Sequence, residues 1–443
     1  MKKYDLMVIG GGPAGYTAAI RAAKSGMKTA LAEHSSVGGT CLNRGCIPAK
    51  CLLRSSELYA SRTEWAELGV SVADAALDET AVYARKDAVV NRLRTGVESL
   101  LKATGVDVYR GSARLTGAHG AEVCGENVYA EFFLIATGSR PALPDVNGAE
   151  YALTSDDVFA RPLRSDAVAV IGGGAVGAEL SQYFADTGRK VCIIEYADRI
   201  LPMFGREVSV QLASALKKHG VEIFSSSRVV GIRPDGIDFE YKGERRTVDC
   251  GAVVAAVGRK ANMENLGLDD AGVEYGGYII TDDDMRTSVG NIFAAGDVAG
   301  GICLAHYAAA CAARAVDAML GAPSRGRPSA VPSIVYTDPE AVTVGSASGA
   351  AKSGRFMLGA NGKNLINGSD RGFVKVYCDD KDRIVAAEML GRGVSEIAGE
   401  LTLAVNCGLT ARQVAECVHA HPTVYESVAE ACEDVGGTAV HKL

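Results

Sequence analysis

Short, unbroken apolar runs punctuate this chain, and most of them end at glycine. Leu6-Met7-Val8-Ile9, Thr29-Ala30-Leu31-Ala32, Ala169-Val170-Ile171, Val191-Cys192-Ile193-Ile194, Val253-Val254-Ala255-Ala256-Val257 and Ile292-Phe293-Ala294-Ala295 read as strands. A run this short with no polar alternation suits a strand covered on both faces, the habit of parallel sheets. Between the runs lie helical patterns. Tyr16 through Ser25 is alanine-rich, and Leu304 to Leu320 is mostly apolar. From Glu79 to Leu101, Val82, Val89, Leu93, Val97 and Leu100 recur near helical spacing. The pattern predicts one long amphipathic helix packed on the first sheet. Strand and helix in alternation predict an α/β fold. Pro323-Ser324-Arg325-Gly326-Arg327-Pro328 reads as a linker, and strand and helix patterns alternate again over the last hundred residues.

Two of the strand–helix steps share one punctuation. The first turn holds Gly10, Gly12 and Gly15, and its second strand ends at Glu33; the second holds Gly172, Gly174 and Gly177, and ends at Glu195. In both copies 23 positions separate the first glycine from the acid. Glycines at this spacing let a pyrophosphate approach a helix N-terminus, and the acid bonds a ribose 2′-hydroxyl. One such turn is weak evidence; two in matching context predict two dinucleotide-binding domains. Glu195 would repel a 2′-phosphate, so the second site should take NAD rather than NADP. Arg199 nearby tempers this, since it could stack on adenine or simply be solvated. Leu134 to Pro141 looks like a strand running into a turn that closes the first half-domain, and Val253 to Arg259 echoes it at the end of the second.

With 443 residues the chain has room for two to four domains, and its 48% apolar and 22% charged content is that of a globular protein. A net charge of −7 gives no footprint for nucleic acid or an acidic membrane surface. Basic Met1-Lys2-Lys3 precedes only about four apolar residues, too few for a signal peptide, and no run reaches the roughly 18 of a membrane span. A cytoplasmic setting is therefore expected, where most of the twelve cysteines stay reduced.

Against that background Cys41 and Cys46 stand out, five positions apart with Gly45 between and Pro48 after. A disulfide needs Cα atoms within about 7 Å. An extended chain would put them roughly 16 Å apart, and a regular helix rises about 7.5 Å over five steps, so a bridge demands a bend. Gly45 permits it, and a helix opening near Pro48 would favour a Cys46 thiolate. Two unpaired structural thiols remain open on spacing alone. Zinc would need a second ligand pair nearby, which is missing. Near the end, His419-Ala420-His421-Pro422 is followed by Glu426, with Pro422 expected to open the helix that carries the glutamate. A histidine held by a carboxylate is a usual general base, although such a pair is also an ordinary surface contact.

Together these stretches resemble the flavin-dependent pyridine-nucleotide disulfide reductases over essentially the whole chain. The resemblance is carried by Gly38-Gly39-Thr40-Cys41-Leu42-Asn43-Arg44-Gly45-Cys46-Ile47-Pro48, both glycine turns, Ala136-Thr137-Gly138, Gly296-Asp297, Tyr336-Thr337-Asp338-Pro339-Glu340 and His419-Ala420-His421-Pro422-Thr423. It implies an FAD domain over residues 1–145 and 267–327, an NAD domain over 146–266, and an α+β interface domain over 328–443. FAD would sit on Gly10, Gly12, Gly15, Glu33, Gly39, Thr40, Lys50, Thr137, Gly138, Gly296 and Asp297, with Leu304, Ala305 and His306 opening a helix toward the flavin. NAD would sit on Gly172, Gly174, Gly177, Glu195 and Gly258.

By the same resemblance Cys41 would exchange with substrate, Cys46 would lie against the flavin, and Lys50 would pair with Glu179. His421, held by Glu426, would be the base and would reach across from a second copy, which makes the enzyme an obligate homodimer without metal. Family members of this kind oxidise a dihydrolipoamide carried on a lipoyl-bearing protein and reduce NAD. Relatives that reduce other disulfides with NADPH want basic residues where this chain has Glu195, and a docking subunit without turnover would need none of these side chains. Three features depart from the pattern. Ala175 stands where a larger residue often covers the nicotinamide pocket, the Gly345–Asn361 region is short, and Cys303, read as a small apolar filler, is unfamiliar before the flavin-facing helix.

Overall fold

The computed structural model describes residues 1–442. Lys2–Ile9 is a central strand of the first sheet, parallel to Thr29–Glu33 on one side and to Glu126–Ile135 on the other. Asp107–Arg110 extends one edge in parallel. Ile292–Ala294 returns from far downstream to pair in parallel with Phe133, Leu134 and Ile135. Both faces are covered. Leu6, Val8 and Leu31 pack under helices Pro13–Lys24 and Ala305–Met319, while Met7, Ile9 and Ala30 fill a second core on the opposite face. That double burial is why these strands carry no polar alternation.

The second sheet repeats the plan. Val221–Phe224, Lys190–Ile194, Ala167–Ile171, Ala252–Ala255 and Leu153–Thr154 lie in that order, all parallel. Helices Ala175–Asp186 and Arg206–Lys218 cover one face. An antiparallel meander of Ser227–Arg233, Gly236–Tyr241 and Glu244–Asp249 covers the other with Ile232, Ile237 and Phe239. The third unit is a five-stranded antiparallel sheet, ordered Ser333–Val335, Glu340–Gly345, Ile384–Gly391, Phe373–Cys378 and Lys352–Met357. Helices Val394–Cys407 and Glu426–Val435 pack on it through Ile397, Leu401 and Val428. Residues 346–351 suffice to join its second strand to its far edge. No helix among the described residues is long and apolar enough to cross a membrane.

The structure corrects three local expectations. The first helix begins at Pro13, not Tyr16, because proline at the first helical position loses no bonded N–H. The long helix spans Glu79–Ala103, but Leu93 and Leu100 face solvent; its buried stripe is Val82, Tyr83, Lys86, Val90, Val97 and Leu101. The helix serves two neighbours. Val90, Val97 and Leu101 join the first core, whereas Val82 and Tyr83 join the core of the second unit. There the buried Lys86 donates to the carbonyl of Phe159 at 2.7 Å, and Glu79 takes both oxygens of its carboxylate to Arg189 at 2.8 Å. Finally, the last helix starts at Glu426 itself, and Pro422 lies in the preceding turn behind a cis peptide bond.

Candidate active site

Cys41 and Cys46 are bridged, with Cα atoms 4.7 Å apart. The expected bend is a break between two helices, Gly39–Arg44 and Cys46–Ala60, jointed at Gly45. A Cβ at Gly45 would come within 2.9 Å of the Thr40 carbonyl, so the joint excludes any side chain. Cys46 is the first residue of its helix, where the unpaired N–H groups favour thiolate. The pair is also pressed against the first glycine turn: Gly38 N–H donates to the Gly11 carbonyl at 2.8 Å. Gly39, at φ +57°, lies so close that its Cβ would strike Cα of Gly12, 2.5 Å away.

The two glycine turns are superimposable in their bonding. Gly10 and Gly172 donate to Ala32 and Ile194 at 2.8 and 2.9 Å. A Cβ on Gly15 would strike the Gly10 carbonyl, and one on Gly177 the Gly172 carbonyl, so the third glycine sets how closely helix meets strand. Neither following helix has a side-chain cap, which leaves its first N–H groups for an anion. Glu33 accepts from Gly11 N and Ser35 N, both at 2.7 Å; Glu195 accepts from Gly173 N at 2.5 Å and Ala197 N at 2.6 Å. Each acid thus ties its own loop and keeps lone pairs for a ribose hydroxyl. A Cβ would meet nothing within 4 Å at Gly138, Gly174 or Gly258, so these glycines border open space. The residues fit two dinucleotides. Ala175 and Val176 at the second helix start are exposed, and no larger side chain covers them.

Lys50, one turn after Cys46, donates to both oxygens of Glu179 at 2.9 and 2.7 Å. The Tyr336 backbone N–H reaches the same carboxylate at 2.9 Å, and its ring lies 4.6 Å from the Lys50 ammonium. Three parts of the chain therefore meet on one carboxylate that is 7% exposed. Lys50→Met should lower the unfolding free energy by about 2 kcal/mol, less than for a fully buried pair because water reaches the lysine. Adding Glu179→Gln should recover most of the loss, and a chemical-denaturation series reads both.

The two histidines part company here. His419 turns Nε2 to Glu400 at 2.9 Å and Nδ1 to the Cys417 carbonyl at 2.8 Å, so both nitrogens are engaged. His421 turns only Nδ1 inward, to Glu426 at 2.8 Å, and its side chain is 77% exposed. Burial would raise the Glu426 carboxyl, but the Thr423 amide and the His421 ring hold it below the usual carboxylate range. An ionised Glu426 can only accept, so Nδ1 carries the proton and Nε2 is left as an outward-facing base.

Some partners were not foreseen. Asp297 accepts from Ser139 Oγ and lies 3.6 Å from Arg259 Nε, which also donates to Ser139 Oγ at 2.6 Å. Thr137 Oγ1 donates to the Asn262 carbonyl at 2.7 Å, and Ser139–Pro141 pairs with Arg259–Ala261 in a short antiparallel ladder. Only the echo between the two strand ends hinted at this contact. Leu304 caps the Ala305–Met319 helix without a side-chain bond, and the His306 ring lies 2.9 Å from the Pro332 carbonyl. Cys303 is exposed rather than filling the core; desolvation and the Asp297 carboxylate push its thiol up. No metal-holding cluster occurs among the described residues.

Residues 4–312 match the family model described as pyridine nucleotide-disulphide oxidoreductase, and residues 331–432 match the dimerisation domain of the same family. A dihydrolipoyl dehydrogenase of Bacillus subtilis is 38% identical, covering 99% of this chain and 97% of its own. The enzyme of that name from Geobacillus stearothermophilus is 37% identical over the same shares. Among solved structures, the HOCl-induced flavoprotein disulfide reductase RclA of Escherichia coli superposes with a TM-score of 0.86 at 26% identity, covering 97% of this chain and 99% of that one. LpdA of Mycobacterium tuberculosis has the same fold, with a TM-score of 0.89 at 24% identity, covering 98% and 99%. The chain belongs to the pyridine nucleotide-disulphide oxidoreductase family.

Proposed function

We propose that this chain is a dihydrolipoyl dehydrogenase: it oxidises a carrier-bound dihydrolipoamide to lipoamide and reduces NAD. The observation that carries the reading is the Cys41–Cys46 bridge packed on the first glycine turn, in a chain aligned end to end with relatives of that name. FAD on the first turn and NAD on the second supply, when bound, the two-electron chemistry that returns the reduced pair to disulfide.

The chain's own residues perform the exchange. His421 Nε2 takes the proton of a substrate thiol, and the thiolate attacks Cys41 Sγ. The Cys41–Cys46 bond breaks, and Cys46 leaves as a thiolate held at the Cys46–Ala60 helix N-terminus. The second substrate thiolate then attacks the substrate sulfur of the mixed disulfide, closing lipoamide and releasing Cys41. Lys50, fixed by Glu179, keeps a positive charge one turn beyond Cys46. Domain limits of 1–145 with 267–327, 146–266 and 328–443 go with this scheme.

His421 is proposed to act on the cysteine pair of a second copy in a homodimer. Val418, fully exposed beside His419, and Leu403 and Tyr425, also exposed, lie on the segment that matches the dimerisation domain. A lipoyl-bearing protein of a 2-oxo acid dehydrogenase complex or the glycine cleavage system would be the partner. Ten unpaired cysteines go with a reducing, cytoplasmic setting.

Purified FAD-bound protein should reduce NAD with dihydrolipoamide at a kcat/KM at least about tenfold above that with NADP, from the charge of Glu195. Turnover only of another disulfide, with NADPH as donor, would move the chain to a different branch of the family.

A further inference from the structure

His421 stands on a stretch without helix or strand, between helices Ala411–Ala415 and Glu426–Val435, and most of its ring is in solvent. What holds it in one place lies beyond Glu426. One oxygen of that carboxylate takes His421; the other takes the Thr423 backbone N–H at 2.9 Å. The opposite edge of Thr423, its carbonyl, accepts from Asn361 Nδ2 at 3.0 Å. Asn361 comes from a different element, 62 positions upstream, and is 3% exposed. Its Oδ1 is also committed, accepting from the Asn364 N–H at 3.0 Å and capping the helix Gly362–Ile366. The amide therefore cannot turn without giving up both bonds. Thr423 is pinned on one side to the glutamate and on the other to a buried, immobile amide.

We propose that Asn361 is a positioning residue for the dithiol half of the reaction: it fixes Thr423, and through Thr423 the Glu426 carboxylate and the outward Nε2 of His421. This rests on the reading of His421 as the base. A base on a mobile loop samples many orientations, and proton transfer requires one; rigid support behind a reacting group is worth an order of magnitude or more in rate. Asn361 is buried behind the loop and its side chain bonds only Thr423 and its own helix cap, so its effect should appear only in the step that needs the base.

The test uses the full-length FAD-bound enzyme in stopped flow, with dihydrolipoamide and NADH as alternative reductants. Asn361→Asp keeps the helix-capping oxygen and the shape but replaces the donor to Thr423 with a second acceptor. Asn361→Ser keeps a capping oxygen and lacks the donor without adding charge. Both should slow reduction by dihydrolipoamide about tenfold, seen in the limiting rate with KM within twofold. Reduction by NADH should stay within twofold. Because the residue acts through His421, Asn361→Ser should cost nothing further in a His421→Gln background. Equal slowing with both reductants, or full additivity with His421→Gln, would reduce Asn361 to a packing residue and overturn the proposal. If His421→Gln alone keeps the wild-type dithiol rate, the base assignment itself falls, and the positioning role with it.

Discussion

Cys46→Ser is expected to abolish oxidation of dihydrolipoamide, with turnover at least about 10³-fold below the parent enzyme. Serine cannot close the bridge to Cys41, so the substrate thiolate finds no disulfide to attack. The loss should be chemical rather than structural. Bridging residues only five apart closes a small loop, worth about 2 kcal/mol in the unfolded chain, while the Cys46–Ala60 helix is held independently by Leu52 and Leu53 in the core. Flavin content and circular dichroism should therefore match the parent. A dithionite titration followed by visible absorbance gives the independent reading. The parent should pass through a long-wavelength band near half reduction, and Cys46→Ser should bleach without it. Such a band persisting in the variant, or absent from the parent, would uncouple this pair from the flavin.

His421→Gln is the second large effect, with turnover lowered by about 10²–10⁴-fold, the range for removing a general base. Glutamine can keep a bond to Glu426 but offers no basic nitrogen at the outer position, so the geometry survives while the proton acceptor is lost. The deficit should shrink as pH rises toward the thiol's own ionisation, because a larger share of the substrate is then already thiolate. His419→Gln should cost far less in the proton-transfer step, since both its nitrogens already face oxygen acceptors. A pH series of kcat/KM for dihydrolipoamide on the two variants separates them; equal losses would mean that the loop, not the base, was damaged.

Much of this site lies close together in sequence. A strand, a glycine turn, a helix and a second strand fit within about 30 residues, so the fingerprints at Gly10 and Gly172 are readable as text. A bend at Gly45 follows from the spacing of the two cysteines once they are bridged. Other features depend on which neighbours an element finds. The long helix after Glu79 offered an apolar stripe through Leu93 and Leu100, yet the sheet and the second unit together selected the stripe through Val90 and Leu101. They also buried Lys86, whose ammonium is shared between the neighbouring Asp87 carboxylate and the Phe159 carbonyl, the latter marked by no local pattern. Pro422 looked like a helix opener but sits in a turn before the helix, because Glu426 occupies the first position and binds backward to Thr423.

By itself the sequence determined the α/β class, the duplication of the dinucleotide turn and the acid at the end of each second strand; for Cys41 and Cys46 it marked the candidates, and the bridge is seen in the structure. Each depends on residues near one another along the chain, where backbone sterics and spacing decide the outcome. Only the tertiary structure decided that His419 is engaged by Glu400, that Tyr336 joins Lys50 on the Glu179 carboxylate, and that Asn361 braces Thr423. Those contacts join segments from 19 to 157 positions apart. Across such distances the sequence carries side-chain chemistry but no direction, and direction comes from the packing of sheets and helices that brings the segments together.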